Sequence, residues 1–342
     1  MESLQAFTGY RSLPILAFYL TLCATLASTI CLKIYRRYKF QKHQLKWHGT
    51  DPKFALFVLL AAFSLATTWY YMFAFFRHSY RSWETQQGPI QKSVIEVEPY
   101  LVKWELWLRD CKLFREAWES VSETPAKSWW SGQIFLWTIG WSLFLGVMGR
   151  RYHISHVWVY MLLGQIVAIS FAQNLFFATI LVSHQNVTPA SKLSWTPPAI
   201  LELAPIVISF AGAAAVPFVA NTQYFIPVLA VPHLLLFIPG ILCPQVLPRG
   251  WGTYISQSLR EYTTVYKWLI MAGVALQAYS TYIVIIDEPG LLEDSVWDLG
   301  RKLLNTMFEH PAVSSVGWDV VCCSLSWFTW ILLRGGLEEM LE

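Results

Sequence analysis

Charged residues are scarce in this chain. They make up 14% of its 342 residues, whereas a soluble domain has about 25%. Hydrophobic residues reach 55%, so too few polar groups remain to cover a water-facing surface. The net charge of only +3 also excludes a nucleic acid as partner, because such partners select strongly basic surfaces. The composition therefore predicts a protein whose main solvent is lipid.

Cysteine pairs and internal repeats are missing as well. The six cysteines form no CxxC spacing, so neither a zinc site nor a disulfide framework is indicated. No internal symmetry is visible of the kind that many transporters show. These absences disfavour a cysteine-ligated zinc protein, a disulfide-stabilised protein and a repeat-built transporter.

Apolar runs as long as a bilayer core recur along the chain. A spanning helix needs about 20 apolar residues, since each residue rises about 1.5 Å. We predict an all-α, polytopic integral membrane helical bundle, a single domain over residues 1–342. About eight transmembrane helices are expected, at Leu13 to Leu32, Phe54 to Phe76, Trp129 to Met148, Val157 to Val182, Ile200 to Val219, Phe225 to Leu242, Trp268 to Ile286 and Val316 to Leu333.

A basic cluster sets the expected orientation. The loop between the first two spans has one acid, Asp51, against Lys33, Arg36, Arg37, Lys39, Lys42, Lys46 and Lys53. The positive-inside rule places this loop in the cytoplasm and the N-terminus in the lumen, with the first span uncleaved because its basic cluster follows it. The endoplasmic reticulum or another endomembrane is the expected location.

Threading eight spans through the membrane then places the other polar segments. Arg150 and Arg151 fall in the cytoplasm, and the sequon at Asn186 falls in the lumen, where a glycan can be added. The segment 243–267 fits poorly, because it would be lumenal while carrying Arg249, Arg260 and Lys267. This orientation places Glu202 near the lumenal side and Asp319 near the cytoplasmic side.

Residues 77–128 differ from the spans. Charges of both signs alternate there with Trp104, Trp107, Phe114 and Trp118 at spacings that give a helix one apolar and one charged face. We predict an extramembrane insertion that forms an amphipathic helix on the lumenal interface. A surface helix packed on its own bundle is the alternative.

Polar residues within the spans fall on stripes. Ser64, Thr67, Thr68 and Tyr71 share one face of the second span, and Ser170, Gln173 and Asn174 share one face of the fourth. Gln277 begins a similar stripe in the seventh span. We predict that Tyr71, Gln173, Asn174 and Gln277 line a substrate pocket. The alternative is that they form hydrogen bonds between helices, as such residues commonly do.

Ionisable residues inside spans give a sharper signal. An intramembrane acid indicates a functional site, since burial can keep it neutral and able to donate a proton. Glu202 and Asp319 are therefore alternative general acids, and Glu84 is a further one. The alternative for Glu202 is an anion near a helix start at Thr196-Pro197-Pro198, and for Glu84 it is an interfacial surface charge. The prolines around His233 predict a broken helix that opens a cavity, with a hydrogen bond to a freed carbonyl as the alternative.

Several stretches resemble a known family. These are Thr68-Trp69-Tyr70-Tyr71 with Arg77 to Glu84, Gly140 to Phe144 with Arg150-Arg151, and Gly164-Gln165 with Phe171 to Phe176. In these stretches and in span layout the chain resembles the fungal membrane-bound terpene cyclases of the ascofuranone type. The resemblance implies a meroterpenoid cyclase of secondary metabolism that opens an epoxide on a prenylated phenol by acid catalysis and closes a ring.

The resemblance also implies that no cofactor or metal takes part. The leaving group is an epoxide oxygen rather than a diphosphate, and the sequence has no DDxxD pattern that would hold magnesium. Two alternatives remain. One is another intramembrane isomerase of lipids or sterols, and the other is a non-catalytic transporter or receptor-like binding protein. The sequence does not indicate an oligomeric state.

Overall fold

The computed structural model describes residues 12–44, 51–183, 195–220, 222–243, 245–248, 250–252, 259–288, 290, 296–336 and 340–341. Helices and no strands occur in these ranges, which confirms the predicted all-α class. The helices are α1 Ser12–Gln44, α2 Pro52–Gln86, α3 Pro89–Val97, α4 Tyr100–Asp110, α5 Leu113–Ser120, α6 Pro125–Arg151, α7 Trp158–Ile166, α8 Ile169–Leu181, α9 Ala199–Val219, α10 Phe225–Leu235, α11 Ile238–Ile241, α12 Leu259–Asp287, α13 Val296–Glu309 and α14 Pro311–Arg334.

Six helices are long and apolar enough to cross a membrane: α1, α2, α6, α9, α12 and α14. Two shorter apolar stretches are α8 and the pair α10–α11. The chain is therefore a multi-pass membrane protein, as predicted.

Three helix starts can be recognised directly in the sequence. A polar side chain followed by proline starts α2, α6 and α14, at Asp51-Pro52, Thr124-Pro125 and His310-Pro311. In each case the polar side chain accepts a hydrogen bond from a backbone N–H of the first turn. Proline suits the first turn because its missing N–H would have no helical partner there.

The bundle has two distinct ends. Arginines mark one of them: Arg37 donates to Ser183 Oγ at 3.0 Å, and Arg334 donates to the Tyr152 hydroxyl at 3.1 Å. We call this the basic end. At the other end the ring of His78, which belongs to residues 77–128, meets the His310 ring with centroids 4.7 Å apart, so we call it the insert end.

Helices α7 and α8 form an antiparallel pair. The Tyr160 hydroxyl of α7 lies 2.8 Å from Thr179 Oγ1 of α8, and α8 ends beside Arg37. The far end of α7 lies inside the bundle, where the Ile166 carbonyl accepts from the Tyr19 hydroxyl at 2.6 Å. The predicted single span Val157 to Val182 is therefore wrong, because the pair enters and leaves at the basic end.

This pair reverses the expected positions of the two acids. Helix α9 now begins at the basic end, where Arg150 donates to Glu202 at 2.6 Å. Helix α14 begins at the insert end with His310, so Asp319 lies in the half of the bundle nearer to that end. The sequence had placed Glu202 and Arg150 on opposite sides of the membrane, and their direct contact corrects that placement.

The sixth predicted span is also interrupted. Helix α10 ends at Leu235 and the short α11 begins at Ile238. The Leu236 carbonyl accepts from Ser142 Oγ at 2.6 Å, which satisfies a backbone group at the break. A Cβ at Gly146 would lie 2.6 Å from the Pro239 carbonyl oxygen. The glycine therefore allows α6 to contact the broken segment closely.

Residues 77–128 fold as several short elements rather than one amphipathic helix. Helix α2 continues to Gln86, and α3, α4 and α5 follow. Trp107 is 5% exposed and donates to Ser79 Oγ of α2 at 3.1 Å. Tyr100, Leu101 and Trp104 are exposed. The insertion thus packs one aromatic side onto the bundle and leaves an apolar side of α4 uncovered.

Candidate acid site

A small cavity lies in the interior of the bundle at the break between α7 and α8. Its volume is about 160 Å³. Asp319 and His233, both singled out from the sequence, line it together. Other lining side chains come from four helices: Thr68, Trp118, Phe135, Thr138 and Gln165. We call it the acid cavity.

Asp319 caps the N-terminus of α8. Its Oδ1 accepts from the Ser170 N–H at 2.8 Å and from Ser170 Oγ at 2.5 Å. Its Oδ2 accepts from the Ile169 N–H at 3.0 Å. These bonds satisfy donors that a helix start leaves free. The Asp319 carboxyl of α14 therefore stabilises the break between α7 and α8.

Two opposed effects act on the Asp319 proton. Burial of a carboxyl, here 8% exposed, favours the neutral acid. Three donors and a helix N-terminus favour the anion. A neutral carboxyl can keep all three accepted bonds, because a hydroxyl oxygen accepts as well as donates. The hydroxyl hydrogen on Oδ2 would then be available to a group in the acid cavity.

His233 lines the same cavity, and a hydrogen bond identifies which of its two ring nitrogens carries the hydrogen. Its Nδ1 lies 2.7 Å from the Leu229 carbonyl oxygen. A carbonyl only accepts, so Nδ1 carries hydrogen and Nε2 of the neutral ring is an acceptor. Both sequence-based alternatives for His233 therefore hold: its ring is bonded to a backbone carbonyl, and it also lines a cavity. Gln165 fixes this segment by donating to the His233 carbonyl at 2.9 Å.

Aromatic rings close the cavity around the imidazole. Trp118 of the insertion meets the His233 ring edge-on with centroids 5.4 Å apart, and Phe135 does so at 5.9 Å. Trp118 also stacks on Phe135 at 5.7 Å. Ring faces of this kind stabilise a nearby positive charge. The cavity therefore combines an acid, a base and a cation-tolerant wall.

Glu202 has a different environment. It is 2% exposed and accepts from Arg150 Nη2 at 2.6 Å and from the Tyr262 hydroxyl at 2.7 Å. A guanidinium at this distance forms a charge-assisted hydrogen bond with the carboxylate. The neighbouring cavity of about 330 Å³ is separate from the acid cavity and is lined by Glu202, Trp251, Glu261 and Tyr262, among others. This arrangement is an ion pair rather than a proton donor.

The remaining predicted residues lie elsewhere. Asn174 donates to Ser64 Oγ at 3.3 Å and to the Ser170 carbonyl at 2.9 Å, and Gln173 donates to the Cys323 carbonyl at 3.4 Å. Both act as contacts between or within helices and neither lines the acid cavity. Tyr71 lies outside it too, with its ring against Tyr70. Gln277 lines another groove, and Asn186 lies outside the described residues.

Sequence reasoning missed three wall residues. The sequence places Trp118 on an interfacial helix, Gln165 in a stretch that carries the family resemblance, and Thr138 in no motif, yet all three line the acid cavity. No local signal marks them, because the cavity exists only where α7 breaks. Neither proline nor glycine stands at Val167-Ala168, where the chain becomes extended with Ala168 φ −172° and ψ 137°.

Comparisons with known proteins find nothing similar. No family model, no curated protein and no solved structure matches this chain. Within the described ranges, no group of His, Cys, Asp and Glu side chains is arranged to hold a metal ion. The function therefore has to be argued from the acid cavity.

Proposed function

We propose that this chain is a membrane-bound terpene cyclase of the meroterpenoid type, which opens an epoxide on a prenylated phenol and closes a ring. The observation that carries the proposal is that Asp319 and His233 line the same cavity inside the bundle. Such a site suits a substrate that partitions into the bilayer. The family resemblance of the sequence points to the same chemistry and to secondary metabolism.

The chemistry follows from the two side chains. The neutral carboxyl of Asp319 donates its proton to the epoxide oxygen while the bond to the more substituted carbon breaks. Positive charge develops on that carbon, close to the Trp118 and Phe135 rings. An internal hydroxyl attacks the carbon and loses its proton to His233 Nε2. Return of that proton to Asp319 restores the site, and the product is an isomer of the substrate.

The size of the cavity defines what enters it. A volume of about 160 Å³ admits the reacting end of a prenyl chain and not a whole prenylated phenol. Ligand sites of drug-sized molecules are usually about 300–1,000 Å³. The remainder of the substrate therefore lies outside the acid cavity during the reaction.

The arrangement in the membrane is also a proposal. We infer seven crossings, by α1, α2, α6, α9, α10–α11, α12 and α14, with α7–α8 as a re-entrant pair. This places the loop after α1, Arg150, Arg334 and the 243–267 segment on one side, which the positive-inside rule makes cytoplasmic. The insert end is then lumenal in the endoplasmic reticulum. The basic segment that fitted poorly with eight spans now fits.

The test distinguishes the two roles of Asp319, as proton donor and as cap of α8. Asparagine has no acidic proton but keeps one oxygen to accept from Ser170, and it loses only the acceptor for the Ile169 N–H, so Asp319→Asn should fold with reduced stability and lose turnover. Microsomes with each variant are incubated with an epoxidised farnesyl-phenol, and products are followed by mass spectrometry. We expect a new isomer of unchanged mass from the parent chain, at least about a hundredfold less from Asp319→Asn, and a similar loss from His233→Leu.

Glu202→Gln serves as the matched control. It removes a buried acid of the bundle that lies outside the acid cavity, so turnover per folded molecule should persist. Full turnover by a well-accumulated Asp319→Asn variant would leave Asp319 as a helix cap only. No turnover of any epoxide by the parent chain would remove the cyclase proposal.

A lipid or sterol isomerase is the second candidate, because the same acid and base can move a double bond. Such an isomerase protonates carbon, whereas the cyclase protonates oxygen. In deuterated water an isomerase product therefore carries deuterium on carbon. The ring formed from the epoxide carries none there.

A further inference from the structure

A groove separate from the acid cavity runs between α6 and α12. It consists of two adjoining cavities of about 280 Å³ and about 750 Å³, which share Leu136 and Gln277 as lining residues. On α6 the lining positions Ser128, Gly132, Leu136 and Gly140 follow one another every fourth residue, so they share one face. We call this the α6–α12 groove.

Glycines leave the groove empty rather than bringing helices together. A Cβ at Gly132 or Gly140 would meet nothing within 4 Å, and one at Gly273 would meet Leu136 Cδ1 at 3.8 Å. Small residues in membrane helices usually permit close helix contact. Here they face open space, so the missing side chains supply room for a ligand.

The end of the groove near the insertion is polar and neutral. Ser122, at this end, is 5% exposed, and its Oγ has no hydrogen-bond partner among the described residues; nor does Nε2 of Gln277, which lies where the two cavities join. The charges nearby cancel, since Lys127 Nζ lies 2.6 Å from Glu123 Oε2. Buried polar atoms are normally bonded, so these two indicate a partner with an uncharged, hydrogen-bonding head.

The other end of the groove is an apolar slot with aromatic walls. Trp137 and Trp327 stand nearly parallel, with an interplanar angle of 20° and centroids 6.5 Å apart. Phe210 and Leu269 add to the walls. Trp327 is 5% exposed and its Nε1 has no partner in the described part of the chain. Flat rings of this kind suit a rigid, flat apolar body.

We propose that the α6–α12 groove binds a sterol of the surrounding bilayer. The sterol hydroxyl accepts a hydrogen bond from Gln277 Nε2, and the ring system lies along Trp137 and Trp327. A phospholipid fits less well, because the one lysine at the polar end is already paired with Glu123. From Gln277 to Tyr266 the larger cavity follows α12 for about 16 Å at about 1.5 Å per residue, a length that suits one sterol rather than two stacked molecules.

The experiment uses the full chain in phosphatidylcholine nanodiscs with a photoreactive sterol. Crosslinked residues are mapped by mass spectrometry, and unlabelled sterol is the competitor. We expect labels on α6 and α12 that unlabelled sterol removes. Gly140→Phe fills the slot and should reduce labelling at least about tenfold, and Gly132→Phe is the second filling variant if the first does not fold. Gly300→Phe is the control, because a Cβ at Gly300 on α13 also meets nothing within 4 Å.

The head group is tested separately. The parent chain should bind a free sterol more tightly than its methyl ether, since the ether is bulkier at the oxygen that Gln277 contacts. Gln277→Leu should weaken binding of the free sterol about fivefold, which is the usual effect of one hydrogen bond, and should remove the preference. Equal labelling of Gly140→Phe, or competition by added phosphatidylcholine, would identify ordinary boundary lipid. Competition by a prenylated phenol alone would identify a substrate entry site.

Discussion

At the scale of single residues, two buried acids have opposite surroundings. Glu202 meets a cation and a phenol, whereas Asp319 meets two backbone N–H groups and one serine hydroxyl. All of these partners lie far away in the sequence. Residue type and span position alone therefore left the two acids as equal candidates. The nature of the donors, charged or neutral, distinguishes them.

The Arg150–Glu202 pair gives a prediction on stability. Removing one partner of a buried pair strands the other charge and costs about 3–5 kcal/mol. Glu202→Gln should therefore lower the Tm of the purified protein, measured by thermal unfolding in detergent. The double variant Arg150→Met with Glu202→Leu replaces both charges by apolar groups and should recover most of that loss. A double variant as unstable as the single one would show that the ion pair itself stabilises the fold.

At the scale of elements, helix starts differ in how visible they are in the sequence. The helices α2, α6 and α14 are each capped by the residue that directly precedes their first proline. The start of α8 has no such signal, because its cap is Asp319 of α14. The α7–α8 pair also needs Gly164, where a Cβ would lie 2.8 Å from the Trp141 ring. A break that is stabilised from another helix looks like a continuous span in the sequence.

The start of α14 predicts a dependence on pH. Burial, with further contributions from His78 and Lys127, lowers the pKa of His310 from 6.5 to about 4, while Glu123 opposes this. The folded state therefore binds fewer protons than the unfolded state between these values, so stability falls as the pH drops through this window. The Tm should be lower at about pH 5 than at about pH 7.

The variant His310→Asn tests the cause of that dependence. Asparagine can still cap the helix by accepting from the Ala312 N–H, as His310 Nδ1 does at 3.3 Å, but it does not titrate. The difference in Tm between the two pH values should shrink in this variant. An unchanged difference would assign the pH dependence to other groups.

At the scale of the whole molecule, one re-entrant pair changes the side of every later segment. With eight spans, Glu202 and Arg150 would be separated by the bilayer. With α7–α8 re-entrant, as we propose, the two residues lie at the same end of the bundle, where Arg37 and Arg334 also lie. The core around α6 and α8, where Phe177 stacks on Trp330 at 4.5 Å, supports this arrangement, because every residue of α8 from Ile169 to Ile180 is buried.

Glycosylation in microsomes tests this topology. If the basic end is cytoplasmic, the native sequon at Asn186 stays unmodified, because α8 ends and α9 begins at that end. A sequon introduced in the insertion by Glu96→Asn with Glu98→Thr, both outside the spans, should acquire a glycan. The measurement is a glycosidase-sensitive shift on a gel. A glycan at Asn186 in the parent chain would contradict the re-entrant pair or the orientation.

The sequence by itself determined the class of the molecule. Scarce charge and long apolar runs require a helical membrane protein, and X-Pro pairs fix several helix starts, because these effects are local. It also singled out Asp319 and His233 as ionisable residues in lipid. Only the tertiary structure brought these two into one cavity, broke the fourth predicted span and paired Glu202 with Arg150. These features depend on contacts between residues remote in sequence. A hydropathy pattern shows how apolar a segment is, but not whether the segment crosses the membrane or turns back within it.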